Sequence, residues 1–168
     1  IVASLRDAPL PVVKCVTNDI RVTADAEYVI EGYFDERGHV EPEGPYGEFL
    51  GYYGAVKRNP VFHLTAITRR KDAIYYALHM PWENTWLAAP TRYTAIRRAL
   101  KNAGVQVKDI NVTLGGCGFW HAVVSIRKQA GEGKNALLAA LTAQDMKHVV
   151  VVDDDIDVHN AMDVEWAI

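Results

Sequence analysis

The chain has 168 residues, of which 49% are hydrophobic and 23% are charged, and its formal net charge is -3. This length and apolar content suffice for one full domain or for two small ones. The charge balance and the absence of a basic block argue against a nucleic-acid partner, and the apolar runs are too short to span a bilayer. Cys15 and Cys117 lack metal-ligand spacing and indicate reduced thiols in a cytoplasmic protein.

The first half of the chain is predicted to form mainly strands and turns. Strands are expected at 11–17, 26–34, 61–68 and 73–80, and the last two are expected to pair as a hairpin. This pattern favours half of a β-barrel or β-sandwich. Residues 1–6 and 164–168 have helical patterns that the chain ends interrupt, so we expect a fragment of a longer protein.

The second half is predicted to mix helices and strands. Thr91 is expected to cap a helix that Gly104 closes. The later elements are strands at 105–114 and 120–127, a helix at 134–143, a strand at 148–152 and a helix from about Asn160. This order predicts an α+β layer, and the boundary between the two parts is expected within residues 81–90.

Two glutamates flank a glycine-rich turn, and they are the strongest chemical signal in the chain. Glu43 and Glu48 are five positions apart, a separation that points side chains to opposite faces of a strand. They can act together only if the segment turns, and Gly44, Pro45 and Gly47 are residues that favour a turn. Such a turn can hold a proton donor close to its electrostatic partner.

The competing interpretation of this segment is a solvated acidic loop. The run Phe49–Gly54 follows directly, and its apolar, glycine-rich composition can bury the carboxylates or admit a ligand against the backbone. Burial raises the pKa of a carboxylic acid, which then keeps its proton closer to neutral pH. The run therefore favours a functional turn.

Two other groups of side chains have a weaker signal. The acidic segment Asp153–Asp157 follows an apolar strand and can hold Mg²⁺ or Mn²⁺, but a loop that caps the next helix is favoured because the chain lacks a phosphate-binding loop. The histidines lack metal-ligand spacing. Among them, His121 is the best candidate for lining a pocket because it follows Phe119 and Trp120.

Four stretches of the chain, taken in order, resemble the UbiD family of carboxy-lyases. They are residues 26–32, 43–48 with 51–53, 60–62 leading to 67–70, and 151–158 with 166–167. The second and fourth stretches are specific as a pair. The resemblance covers essentially the whole chain and corresponds to the last third to half of a family member.

The resemblance implies an α+β fold with two parts. Residues 1–86 would be the second part of a split β-barrel flavin-binding domain, and residues 87–168 an α/β oligomerisation domain that is truncated at its C-terminal end. The implied activity is the reversible decarboxylation of an aromatic or α,β-unsaturated carboxylic acid with prenylated FMN, which a flavin prenyltransferase supplies. A divalent metal (Mn or Mg) and potassium would hold the cofactor phosphate, and the enzyme would be a homo-oligomer.

The resemblance also implies roles for particular residues. Glu48 matches the proton donor of a Glu-Arg-Glu network, and Glu43 matches the glutamate that orients the arginine. The arginine and the metal ligands lie upstream of Ile1 in the family, so we expect no metal ligand here, cofactor residues mostly upstream, and an inactive isolated fragment. Trp86, Phe119 and Trp120 are candidates for the wall of the substrate pocket.

Two alternatives to this enzyme remain open from the sequence. The first is a non-catalytic oligomerisation module derived from the same family. The second is a flavin-binding split-barrel protein of redox type, which would need a basic phosphate site that the chain lacks.

Overall fold

The computed structural model describes residues 2–80 and 82–168, which form two compact units. Unit 1 comprises the described residues up to Tyr46 together with Gly54–Ala77. Unit 2 comprises Gly47–Tyr53 and the described residues from Leu78 to Ile168. Within the described residues, no helix has the length and apolar character to cross a membrane.

Unit 1 contains one short helix and three small antiparallel sheets. Its elements are α1 (Val2–Arg6), β1 (Val12–Lys14), β2 (Arg21–Thr23), β3 (Tyr28–Phe34), β4 (Glu41–Glu43), β5 (Lys57–Asn59) and β6 (Phe62–Arg69). Strand β1 pairs with β2, β3 with β6 and β4 with β5. The mixed α/β character of the predicted fold is confirmed, whereas the split barrel stays a prediction.

The longest pairing in unit 1 joins β3 to β6. It extends from Tyr28 opposite Arg69 to Phe34 opposite Phe62, with an irregularity between Glu31 and Gly32. A side chain at Gly32 would bring its Cβ within 2.2 Å of the His63 carbonyl oxygen. Glycine is therefore needed here, because the two backbones approach closely where the register shifts.

The hairpin predicted between 61–68 and 73–80 is wrong. Strand β6 pairs with β3 instead, and the described residues 73–79 form no strand. Side-chain contacts hold that segment, since the Tyr75 ring packs edge-on against Tyr28 and the Ile74 N–H donates to the Glu27 carboxylate at 3.0 Å. Strand propensity does not specify a pairing partner, so tertiary contacts decide the outcome.

Unit 2 is a three-stranded sheet covered by helices. Its elements are α2 (Trp82–Asn102), β7 (Val107–Val112), β8 (His121–Ile126), α3 (Glu132–Leu141), β9 (His148–Asp153) and α4 (Ala161–Ala167). The strand order is β7-β8-β9, with β7 antiparallel and β9 parallel to the central β8. Helix α3 connects the two parallel strands, as a parallel pairing requires a crossover.

The central strand β8 has buried apolar side chains on both of its faces. Ala122, Val124 and Ile126 belong to a core cluster that includes Ile96 and Leu100 of α2. The intervening Val123 belongs to a second cluster, whose other buried members are Val152, Val158 and Val164. This alternation follows from the two-residue period of a strand.

The start predicted for the first long helix is wrong. Helix α2 begins at Trp82, and Thr91 lies in its interior, where its hydroxyl donates to the Ala88 carbonyl at 2.7 Å. Pro90 lacks an N–H and favours a helix start, but the preceding turns stay helical because they are packed, with Thr85 fully buried. The domain boundary predicted after residue 86 stays a prediction, and α2 runs across that position.

Candidate active site

The predicted glutamate turn is a hairpin whose two carboxylates lie in different units. Glu43 ends strand β4 of unit 1, opposite Lys57, and its carboxylate accepts a hydrogen bond from the Asn59 amide. Glu43 is exposed, whereas Glu48 is half-buried and belongs to unit 2. The expected burial is therefore absent at Glu43. The cooperation of the two carboxylates stays a prediction.

Glu48 lies on a tight, hydrogen-bonded loop, Gly47–Tyr53, which we call the Glu48 loop. The Glu48 N–H donates to the Tyr52 carbonyl at 2.9 Å, and the Gly51 N–H donates to the Glu48 carbonyl at 3.0 Å. Gly47 and Tyr53 close the loop with an antiparallel bridge. The loop lines an open cavity of about 280 Å³, so Glu48 lies beside a space that solvent or a small molecule can enter.

An aromatic cluster of Phe49, Phe119 and Trp120 joins the Glu48 loop to the sheet of unit 2. The Phe49 ring centroid lies 5.5 Å from that of Phe119 and 5.9 Å from that of Trp120. The Arg92 guanidinium lies 4.8 Å above the Phe119 ring, and the Lys147 ammonium lies 4.1 Å above the Trp120 ring. Two of the three residues predicted to line a pocket, Phe119 and Trp120, thus contact Phe49, the residue after the proton-donor candidate.

Trp86, the third predicted pocket residue, lies on a different surface. Its side chain is 62% exposed and lines a separate apolar cavity of about 380 Å³ with Tyr93, Ile110 and His159. The structure therefore does not bring Trp86 into the aromatic cluster. Its predicted role in substrate binding stays untested.

His121 is held by neighbours on its own sheet. Its ring stacks on His148, the opposite residue in β9, with centroids 4.7 Å apart, and its Nδ1 is hydrogen-bonded to the Thr113 hydroxyl at 2.9 Å. Burial lowers the pKa of His121, and the adjacent His148 lowers it further. The ring is therefore neutral at neutral pH and packs as part of the sheet.

The acidic segment after β9 is engaged by contacts of its own. Asp153 pairs with Lys128 at 2.8 Å, and the Asp157 carboxylate accepts the His159 N–H at 2.9 Å. Helix α4 follows, and Asn160 caps it by accepting the Met162 N–H at 3.1 Å. These contacts agree with the loop-and-cap interpretation. In the residues that the structure describes, no three histidine, cysteine or acidic side chains converge as metal ligands.

The sequence reasoning missed Glu31, whose side chain is only 3% exposed. Its carboxylate accepts the Val16 N–H at 2.8 Å and both the N–H and the hydroxyl of Thr17 at 2.7 Å. These hydrogen bonds lower the pKa of Glu31. Burial, together with the negative charge of Glu31, raises the pKa of the adjacent Cys15 thiol. A charged residue in an otherwise apolar, β-forming run was the available signal.

Two family models match the chain. The 3-octaprenyl-4-hydroxybenzoate carboxy-lyase Rift-related domain matches residues 1–81, and the C-terminal domain of the same carboxy-lyase matches residues 85–168. The chain therefore belongs to the UbiD family, and the assignment made from the four stretches is confirmed.

Known proteins of this family are similar to the chain in sequence and structure. Anhydromevalonate phosphate decarboxylase of Methanosarcina mazei is 41% identical over 99% of this chain and 39% of the relative. The UbiD-class enzyme HmfF from Pelotomaculum thermopropionicum in complex with FMN is 41% identical, with a TM-score of 0.82, over 95% of this chain and 36% of that one. An evolved dimeric form of HmfF in complex with prFMN is 39% identical, with a TM-score of 0.84, over 98% of this chain and 39% of that one. The chain thus spans about two fifths of the length of these relatives.

The basic side chains around the cavity of unit 1 do not by themselves form a site for the phosphate of a flavin nucleotide. Unit 1 has a cavity of about 330 Å³ with basic side chains in its lining, but each is engaged elsewhere. Lys14 pairs with Asp19, Arg70 lies 3.9 Å from Glu27, and Arg69 donates to backbone carbonyl oxygens. A step that involves the cofactor is therefore not assigned to this chain.

Proposed function

We propose that this chain supplies the proton donor of a UbiD-class decarboxylase that uses prenylated FMN and acts on an aromatic or α,β-unsaturated carboxylic acid. Family membership supports the reaction class, and two similar structures contain FMN or prFMN. The observation that carries the proposal is the position of Glu48. Glu48 is half-buried on a hydrogen-bonded loop that borders a cavity, and the adjacent Phe49 packs against aromatic rings.

Glu48 is assigned the protonation step. Loss of CO₂ leaves a carbon atom that must take up a proton, and a positioned carboxylic acid can deliver it. Glu43 is assigned as the second glutamate of the Glu-Arg-Glu network. It would orient an arginine supplied by another segment of the full protein. The Asn59 amide at the Glu43 carboxylate holds that side chain at the end of β4.

The remaining parts of the active site are assigned to other segments of the enzyme. These segments would hold the cofactor, a divalent metal (Mn or Mg) and potassium, and a flavin prenyltransferase would supply the cofactor. Unit 2 would contribute to a homo-oligomer, and the existence of a dimeric form of HmfF supports an oligomeric enzyme. Because the relative from Methanosarcina mazei acts on anhydromevalonate phosphate, phosphorylated acids belong in the substrate tests beside aromatic ones.

The test uses the full-length protein, co-expressed with a flavin prenyltransferase. Glu48→Gln is expected to lower turnover by roughly 10²- to 10⁴-fold, because the amide cannot donate the acid proton. Glu41→Gln changes an exposed carboxylate of the same hairpin that has no assigned role, so it is the matched control and should stay within about twofold of wild type. Unchanged melting temperatures exclude unfolding as the cause. Wild-type turnover in Glu48→Gln would falsify the assignment.

A further inference from the structure

We infer that the aromatic cluster of Phe49, Phe119 and Trp120 is a positioning device that holds Glu48 in place for proton transfer, and that Arg92 and Lys147 brace it. The inference rests on the proposed function of Glu48. The cluster residues are positioning residues, since they act through the loop that bears the acid.

The first support is that Phe49 supplies the apolar anchor of the Glu48 loop. Its remaining large side chains point to solvent, with Tyr52 77% and Tyr53 80% exposed and Leu50 also exposed. Phe49 is the half-buried apolar side chain of the loop. Ordering a loop opposes the conformational entropy of its backbone, so the contacts of Phe49 are the main apolar compensation.

The second support is the rigidity of the surface that receives Phe49. Phe119 and Trp120 end the connection between β7 and β8, directly before the central strand. The Trp120 carbonyl accepts the N–H groups of Lys147 and His148 at 3.0 and 2.9 Å, which ties the connection to β9. The rings therefore belong to the framework of the sheet, which moves less than a free loop.

The connection also lies directly against helix α2. A Cβ on Gly118 would come within 2.5 Å of the Thr85 carbonyl oxygen, and the φ of Gly118 is +66°. Both features require glycine, because other residues would push the connection away from the helix. This close contact places Phe119 beneath Arg92 of the same helix.

Two cationic side chains, Arg92 and Lys147, lie above rings of the aromatic cluster. Arg92 is held by Asp145 at 2.6 Å, and its side chain is only 16% exposed. A guanidinium fixed over an aromatic ring is attracted by the ring electrons, and partial burial strengthens the attraction. The Lys147 ammonium lies above Trp120, so one face of Phe119 and one face of Trp120 each contact a cation.

A displaced ring at position 49 would displace the acid beside it. Glu48 and Phe49 are adjacent in the Glu48 loop, so a shift of the ring moves the backbone that bears the carboxylate. Proton transfer requires a donor within hydrogen-bond reach, and a misplacement of about 1 Å can cost 10²-fold in rate. Weakening the cluster should therefore lower the rate of the chemical step with little effect on substrate affinity.

The experiment compares Phe119→Leu with Phe62→Leu in the full-length holoenzyme. Phe62 pairs with Phe34 in unit 1 at 5.2 Å and is a matched loss of an aromatic pair elsewhere. Phe119→Leu is expected to lower kcat by about tenfold with KM within about twofold, and to speed amide exchange of the peptide that contains residues 47–53 by about tenfold. Phe119→Tyr keeps the ring and should restore both values.

A second pair of variants tests the cations with less risk to folding. Arg92→Gln removes the cation above Phe119, whereas Arg97→Gln removes one above Tyr93 on the same helix, 5.9 Å from that ring. Arg92→Gln should speed exchange in the 47–53 peptide and lower kcat, and Arg97→Gln should change neither.

The positioning role of the aromatic cluster, which we call the clamp, is overturned if Phe119→Leu and Arg92→Gln leave both kcat and amide exchange of the 47–53 peptide at wild-type values. It is also overturned if only the melting temperature falls. Exchange is measured without turnover, so it tests the clamp separately from the chemistry. If Glu48→Gln keeps its turnover while the exchange results hold, the proposed function fails and the clamp remains a structural feature of the loop.

Discussion

The two units of this chain differ in how they exclude water. Unit 2 has two clusters of fully or nearly fully buried apolar side chains, one on each side of β8. In the described part of unit 1, only Cys15 and Glu31 reach the same degree of burial. Large apolar side chains of its longest sheet are instead exposed, among them Ile30 at 61% and Phe34 at 63%.

This difference shows which unit is stabilised by its own core. Burial of apolar surface is the main favourable term in folding, and unit 2 obtains it within the chain. Unit 1 depends on strand pairing and on polar contacts such as those of Asp35 with Arg37 and His63. An apolar face as exposed as that of β3 and β6 commonly marks a surface that another segment or subunit covers. The Glu48 loop, which belongs to unit 2, should therefore be better ordered than the sheets of unit 1.

The largest expected effect comes from removing a core side chain of unit 2. Ile126→Ala should lower the free energy of unfolding by about 2–5 kcal/mol, because Ile126 is fully buried and the change leaves a cavity. The matched change Ile30→Ala in unit 1 should cost no more than about 0.5 kcal/mol in this chain. Native-state hydrogen exchange at β8 and β3 measures the two losses in free energy of unfolding. Equal losses would contradict the proposed difference between the two units.

A smaller effect is expected at the cap of α4, the helix that contributes Val164 to the second core cluster. Asn160→Ala removes the acceptor of the Met162 N–H and should destabilise unit 2 by about 1 kcal/mol. Asn160→Asp retains an acceptor and should stay within a few tenths of the wild-type value. Urea unfolding followed by tryptophan fluorescence is the measurement. A loss of the same size in both variants would argue against the capping role.

The subtlest expected effect is a change in pH dependence in unit 1. Because the pKa of Glu31 is lowered in the folded chain, its ionised form stabilises the fold. This contribution is complete above the ordinary glutamate pKa of about 4.3 and is lost as pH falls through the lowered value. Glu31→Gln should therefore flatten the acid side of the stability profile.

Thr17→Val provides the matched control for Glu31→Gln. It removes one of the donors to the carboxylate and should give an intermediate profile. Urea unfolding followed by circular dichroism between about pH 6 and pH 3 makes the comparison. An unchanged profile in Glu31→Gln would show that the buried carboxylate is not the responsible group.

The elements that local signals define were predicted well. Strands β8 and β9 have apolar runs of β-branched residues, and the helix start predicted near Asn160 is confirmed. The start of α2 was missed, because Pro90 and Thr91 resemble a helix start and only packing around Thr85 keeps the earlier turns helical. Pairing of β6 with β3 was missed as well, since strand propensity does not specify a partner.

The sequence by itself determined the family, the two glutamates and the glycine-rich turn between them, because these depend on residue identity and order. Only the tertiary structure decided that Glu43 and Glu48 belong to different units and that Trp86 lies apart from Phe119 and Trp120. It also revealed the buried Glu31. The physical reason is that ring contacts and buried carboxylates join residues far apart in the chain, and no local pattern encodes which of them will meet.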